Sequence, residues 1–200
     1  MSERSNESLL DRRWVVKTLL EKRGDALVVA GVGSTVWDCA AAGDNPLTFS
    51  LWNAMGAASM VGLGIALAQP KRSVLVITGD GELLMQLGCL ATIAAKKPAN
   101  LSIVVLDNEM YQETGRQPTH TALGTSIAGV GTACGIEKST VIHTENEIRE
   151  LSDQVYAKDG LLLAQVKIGT SAHPRAMPPR DGSYLKDRFR GALLGPAAFK

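Results

Sequence analysis

The chain has 200 residues, enough for one domain with a substantial core, and 45% of them are hydrophobic. A formal net charge of +1 and an aromatic content of 4% argue against a basic nucleic-acid surface or a polyacidic tail. No apolar run approaches a membrane span, and Met1–Asn6 is polar and too short for a signal peptide. Cys39, Cys89 and Cys134 are far apart and form no CxxC pair, so disulfides, zinc sites and iron–sulfur clusters are not expected. Reduced thiols fit a cytoplasmic protein.

The spacing predicts an amphipathic helix over Ser8 to Arg23, with Leu10, Trp14, Val16, Leu19 and Leu20 on or near its inner face. Gly24-Asp25 breaks it. Ala26 to Ala30 reads as the first buried strand, and Gly31-Val32-Gly33-Ser34-Thr35 leads into a helix from Val36 to about Ala42. This glycine-rich turn departs from GxGxxG, so it is a weak dinucleotide signal. Leu47 to Leu51 reads as a short strand. From Asn53 onward, Gly56, Ala57, Ala58, Gly62 and Gly64 suggest a buried helix in close contact with its neighbours.

Ser73 to Thr78 is a β-branched run typical of a buried strand. It turns at Gly79-Asp80-Gly81 into a predicted helix from Glu82 to Ala95, with Leu83, Leu84, Leu87, Leu90 and Ile93 as its apolar positions. A second buried strand, Leu101 to Leu106, ends at Asp107-Asn108. Right-handed crossover makes these strands parallel, with both carboxyl ends at one edge of the sheet. Asp80 and Asn108 then face one crevice, where open α/β sheets bind ligands. A carboxylate and an amide oxygen are hard donors suited to magnesium or calcium. Gly79 and Gly81 allow a tight turn and close approach by a ligand, and the helix opening at residues 81 and 82 favours phosphate. The pattern reads as a divalent metal bridging a phosphorylated ligand to two strand ends. The plain alternative is a tight turn with a solvated Asp80 and a capping Asn108.

Gly115 to Thr121 is polar and lacks a strand or helix period. Ile127 to Cys134 is a predicted helix and Thr140 to His143 a short strand. Thr144-Glu145-Asn146-Glu147 fits a capping box before a helix whose stripe is Ile148, Leu151 and Val155. Leu161 to Ile168 is the last strand. From Gly169 the chain becomes basic and proline-rich, and Leu185 to Leu194 suits a terminal helix. No internal repeat or second domain is evident. The expected fold is α/β: an open, doubly wound, mostly parallel sheet of about six strands with helices on both faces. Residues 1–170 form the domain, and residues 171–200 a C-terminal extension suited to contacting a partner.

Gly79-Asp80-Gly81, followed one helix and one strand later by Asn108, resembles the motif of thiamine-diphosphate-dependent enzymes. The likeness runs from about Ala26 to Gln117. It extends to the phosphonopyruvate and sulfopyruvate decarboxylases through Asn53-Ala54-Met55-Gly56-Ala57-Ala58-Ser59, Gly64-Ile65-Ala66-Leu67-Ala68-Gln69-Pro70 and Glu113-Thr114-Gly115-Arg116-Gln117-Pro118-Thr119. The resemblance implies that Asp80, Asn108 and the main-chain carbonyl of Met110 hold Mg2+ against the diphosphate of thiamine diphosphate. Asp107 stands where the family often has another Asn. Gly33, Ser34 and Thr35 would meet the diphosphate, or the two hydroxyls only cap the helix. Gly79, Gly81 and Glu82 sit at the same end. Met55 would wedge between the cofactor's two rings, or simply fill core. The Asn53 carbonyl would accept from the cofactor's exocyclic amine. The family has a short helix after the Asn; here Glu109 replaces a common small residue, and Tyr111 either donates to phosphate or packs. Arg116, where relatives often carry glycine, and His120 would meet an anionic substrate or lie in a solvated loop.

In this family a glutamate from a separate pyrimidine-binding domain activates the cofactor across a subunit interface. The chain reads as the diphosphate-binding half alone. The expectation is a diphosphate-binding (beta) subunit of a two-subunit decarboxylase for a small anionic 2-oxo acid. It would work only with a pyrimidine-binding alpha-type partner, in a hetero-oligomer of dimers, without nucleic acid or membrane. Alternatives are a carboligase or aldehyde-forming lyase on the same scaffold, a nucleotide-binding module using Gly31–Thr35, and a scaffold that binds cofactor without turnover.

Overall fold

The computed structural model describes residues 9–199; Met1–Asn6 and the predicted helix start at Ser8 lie outside them. Helix α1 (Arg12–Glu21) begins at Asp11, whose carboxylate accepts from the Trp14 amide at 2.9 Å. The helix cannot include Leu10, because that residue bridges in parallel to Ile168 at the sheet end. The main sheet is built from β1 (Leu27–Ala30), β2 (Thr48–Ser50), β3 (Val74–Gly79), β4 (Leu101–Asp107), β7 (Lys138–Ile142) and β8 (Leu162–Lys167). All pairings are parallel, in the order β2-β1-β3-β4-β8-β7. After β1 the chain steps to one side for β2 and returns to the other for β3. The carboxyl ends of β1 and β3 therefore flank a switch point, where a crevice opens.

Burial of β1, β3 and β4 on both faces explains their continuous apolar runs. Leu75 and Ile77 point to one core with α1, α2 (Ser34–Ala41) and α7 (Glu145–Gln154). Val74 and Val76 point to the other, with α3 (Ala58–Ala68), α5 (Cys89–Lys96) and α6 (Ile127–Ala133). The capping box ahead of α7 is formed: Thr144 accepts from the Glu147 amide, and Glu147 accepts from Thr144 N–H. No helix among the described residues is long and apolar enough to cross a membrane.

Three further sequence expectations change. The predicted Glu82–Ala95 helix is two helices, α4 (Asp80–Leu84) and α5, because the loop before α3 packs into the break: a Cβ on Gly56 would lie 3.3 Å from Met85 Cβ and 3.4 Å from Gln86 Cβ. The helix expected from Asn53 starts only at Ala58, since Asn53 and Gly56 take positive φ of 58° and 90°. The short helix expected after Asn108 is instead a hairpin of β5 (Met110–Tyr111) and β6 (Gln117–Pro118), followed by a 3-10 turn at His120–Leu123. Residues 170–181 carry no helix or strand, and the arm packs on its own domain. Trp52 donates to the Pro179 carbonyl, and α8 (Gly182–Leu194) packs Phe189 on Phe49 with ring centroids 5.5 Å apart.

Helix α3 is pressed on β3. A methyl on Gly62 would collide with Val76 Cγ2, whereas one on Gly64 meets nothing within 4 Å. Gly→Ala raises helix propensity by about 1 kcal/mol, and overpacking costs about 1–3 kcal/mol. Gly62→Ala should therefore destabilise the fold in urea unfolding while Gly64→Ala stabilises it; shifts of the same sign would refute this packing.

Candidate functional site

The switch point holds a cleft of about 180 Å³. Its walls include Gly33, Ser34, Thr35, Met55, Gly79, Asp80, Gly81, Glu82, Asn108, Met110 and Tyr111, which is every predicted cofactor-site residue except Asn53. Asn53 is exposed on the neighbouring loop, and Met55 projects from that loop with 46% exposure. Arg116 and His120 are exposed and do not line the cleft.

The two glycine turns are shaped by side chains of this chain. A Cβ on Gly81 would fall 2.6 Å from the Tyr111 ring, and one on Gly31 would fall on the Glu82 carboxylate. Close approach by Tyr111 and by Glu82 therefore demands glycine at these two positions. Gly33 caps α2 with φ 86° and no side-chain hydrogen bond. Thr35 donates its hydroxyl to the Gly31 carbonyl, so that proton is turned away from the cleft. Helix α2 is fixed from behind, where buried Asp38 pairs with Arg12 and with Arg13, and Arg12 also reaches the Ser34 carbonyl at 3.4 Å.

Asp80 opens α4 and is 2% exposed. Burial, then repulsion from Asp107, pushes its carboxyl up to about 6, against hydrogen bonds from Thr119, Gly81 N–H and Thr121. Burial also raises Glu82, although Thr78 (2.8 Å) and Val32 N–H (2.9 Å) donate to its Oε2. Glu82 Oε1 is buried with no hydrogen-bond partner. Asn108 accepts from Met110 N–H at 3.1 Å through Oδ1 and donates to Gln112 at 3.1 Å. That orients its amide and leaves Oδ1 a second lone pair.

Sequence reasoning missed the layer beneath. Thr119 and Thr121 reach Asp80 Oδ2 at 2.6 and 3.3 Å, and Thr121 also donates to Asp107 at 2.7 Å. Gln165 and Lys167 each contact Asp107 Oδ2 at 2.6 Å, and Lys167 also pairs with Glu109 at 2.6 Å. Burial pulls the Lys167 ammonium down, but hydrogen bonds to Asp107 and Glu109 outweigh it and hold its pKa above the usual value. The available signal was the polar pair Gln165 and Lys167, alternating on one face of an otherwise apolar strand.

Among the described residues, no group of three or more His, Cys, Asp or Glu gathers as a metal cluster. The Asp80 carboxylate and the Asn108 amide oxygen, both on residues lining the cleft, are oxygen donors of the kind that could hold Mg2+ with further ligands from main chain, phosphate or water. Two buried carboxylates held above their usual range fit an added cationic or donor ligand, although the Gly56 and Ala58 amides beside Glu82 already offset part of its burial. The N-terminus of α2 offers positive potential for a phosphate.

A raised carboxyl pKa in the fold favours the protonated form. The stability this gives Asp80 is full below an unfolded value near 4 and is lost as pH rises through about 6. In EDTA, Asp80→Asn should raise the melting temperature at pH 8 and change it little at pH 4; the same shift at both pH values would contradict this.

The family description "Thiamine pyrophosphate enzyme, C-terminal TPP binding domain" matches residues 31–166. The chain is 35% identical over 187 residues to sulfopyruvate decarboxylase subunit beta of Methanothermobacter thermautotrophicus, covering 94% of this chain and 97% of that one. It is 34% identical over 190 residues to phosphonopyruvate decarboxylase of Streptomyces viridochromogenes, covering 91% of this chain and 46% of that one, so it spans about half of that relative's length. Benzoylformate decarboxylase from Polynucleobacter necessarius shares the fold, with a TM-score of 0.65 at 19% identity over 87% of this chain and 36% of that one. So does a putative thiamin diphosphate-dependent enzyme from Mycobacterium smegmatis, with a TM-score of 0.67 at 21% identity over 78% of this chain and 31% of that one. With its cleft at the β1/β3 switch point and a family match over most of its length, the chain belongs to the thiamine pyrophosphate enzymes, as a domain of their C-terminal, TPP-binding type.

Proposed function

We propose that the chain is the diphosphate-binding (beta) subunit of a two-subunit, thiamine-diphosphate- and Mg2+-dependent 2-oxoacid decarboxylase. Its substrate is a small anionic 2-oxo acid of the sulfopyruvate or phosphonopyruvate type. The observation that carries this is the gathering of Asp80, Asn108 and Met110 in the walls of one cleft at the switch point. Relatives named as sulfopyruvate decarboxylase beta subunits, matched over nearly their whole length, support the subunit reading.

Bound thiamine diphosphate supplies the nucleophilic carbon and the electron sink for loss of carbon dioxide from a 2-oxo acid. The chain's residues bind and orient it. Asp80, the Asn108 side-chain oxygen and the Met110 carbonyl are the Mg2+ ligands. Gly33, Ser34 and the α2 amides take the diphosphate, with Thr35 shaping the turn behind them. Gly79, Gly81, Glu82 and Tyr111 wall the same end. Met55 is the wedge between the cofactor rings, and the Asn53 carbonyl is the acceptor for its amine. A pyrimidine-binding alpha-type subunit supplies the activating glutamate, in a hetero-oligomer, and the C-terminal extension contacts it. Three free thiols fit a cytoplasmic setting.

Calorimetry should show thiamine diphosphate binding that requires Mg2+ and is lost in Asp80→Ala with the fold retained. Unaltered affinity in that variant would remove the site assignment. The chain alone should leave 2-oxo acids untouched and gain activity only when mixed with its partner.

Arg116 and His120 stand outside the cleft, on the exposed hairpin side, and reach the substrate's distal anion only in the assembled pair. A charge-assisted hydrogen bond is worth about 1.5–3 kcal/mol, so Arg116→Ala should raise KM for the anionic substrate roughly tenfold or more. Unchanged kinetics, or a preference for neutral 2-oxo acids, would defeat this part.

A further inference from the structure

Resting on the Mg2+ reading above, we propose that Thr119 and Thr121 are positioning residues for the metal-binding carboxylate of Asp80. Thr119 fixes that carboxylate's Oδ2 so that Oδ1 is presented to the cation, and Thr121, whose one proton goes to Asp107, backs Thr119 and ties it to the Asp107–Lys167 pair. Neither threonine belongs to the Gly79-Asp80-Gly81…Asn108 motif, although Thr119 ends one of the stretches of family likeness; they stand 39 and 41 residues beyond Asp80.

The geometry is specific. Thr119 is fully buried and donates to Asp80 Oδ2 at 2.6 Å. Thr121, also buried, approaches the same oxygen at 3.3 Å and touches Thr119 Oγ1 at 2.8 Å. Neither hydroxyl addresses Oδ1. An aspartate carboxylate rotates broadly about its terminal torsion, so one tethered oxygen is needed to hold the other in a ligand position. Groups behind a metal ligand set its orientation in this way.

The threonines are themselves immobilised. Thr119 N–H donates to the Glu109 carbonyl at 3.0 Å, and its β-branched side chain restricts χ1. Its methyl lies 3.5 Å from where a Cβ of Gly81 would stand, so it packs on the turn that carries Asp80. Thr121 is tied to Asp107, and Asp107 to Lys167 and Gln165 on β8. The carboxylate at the end of β3 is thereby referenced to the two next strands of the sheet.

The test titrates thiamine diphosphate into the full-length chain at graded Mg2+. Thr119→Val removes the hydroxyl and keeps the shape; Thr119→Ser keeps the hydroxyl. Loss of a group behind a metal ligand weakens metal binding about 10–100-fold. The Mg2+ needed for half-saturation should rise by that factor in Thr119→Val, with near-normal cofactor affinity restored at excess Mg2+. Thr119→Ser should resemble wild type. A hydroxyl that serves folding alone would lower the melting temperature without moving the Mg2+ requirement, and that result overturns the proposal. If Thr119→Val does not fold, Thr121→Val is judged by the same criterion. If the wild-type chain binds no cofactor at any Mg2+ concentration, the reading of the site itself fails; a responsive wild type with an indifferent Thr119→Val sinks the positioning role alone.

Discussion

Two neighbouring parallel strands end in buried carboxylates, and this unequal charge shapes the site. Asp107 has Lys167 within 2.6 Å, while among the described residues no cation pairs with Asp80. Burial of a carboxylate without a counter-charge is costly, and the cost appears as the raised pKa of Asp80. The sheet forces both groups into this position, because parallel order puts the ends of β3 and β4 side by side at one edge. A proton on Asp80, or a positive charge beside it, relieves that cost.

Much of this architecture is local and therefore legible. The strands β3 and β4 announce themselves as unbroken apolar runs, and Gly79-Asp80-Gly81 and Asn108 lie immediately past them. What escaped the sequence depends on contacts between distant segments. The apolar period of Glu82–Ala95 continues through Met85–Gly88 unbroken; only the packing of Gly56 against that stretch reveals the interruption. The two-residue strands of the hairpin are too short to carry a period. Thr119 and Thr121 looked like loop residues, since an ordinary polar segment gives no sign that its hydroxyls turn inward toward a distant carboxylate. Nor does the sequence show that Glu109 and Arg116 take positive φ, 61° and 62°, a conformation that glycine adopts more readily.

The diphosphate end of the cleft rests on a different device. Asp38 is buried with two arginines around it, yet burial still outweighs Arg12 and Arg13 and raises its carboxyl pKa. Such a pair is a poor source of stability. Its location suggests what it contributes instead. It joins α1 to α2, and Arg12 also contacts the Ser34 carbonyl at the first residue of α2. The start of that helix, which faces the cleft, is thus tied to α1 through the buried Arg12–Asp38 pair.

Strain is concentrated beside the same cleft. Of the five non-glycine residues with positive φ among those described, Asn53, Glu109 and Arg116 lie in its two framing loops. Each conformation costs on the order of 1 kcal/mol and persists only if neighbouring bonds over-determine it. For Glu109 those bonds are its amide to Asp107 and its carboxylate to Lys167; for Arg116 it is the amide to the Tyr111 carbonyl at 3.0 Å. The two strained residues bracket β5. Between them they turn the chain so that Tyr111 lies over Gly81 while Thr119 comes up beside Asp80. A hairpin free of that strain would run on from β4 in a different direction and leave the Asp80 carboxylate without its second support. The strained backbone and the oriented carboxylate are two aspects of one constraint.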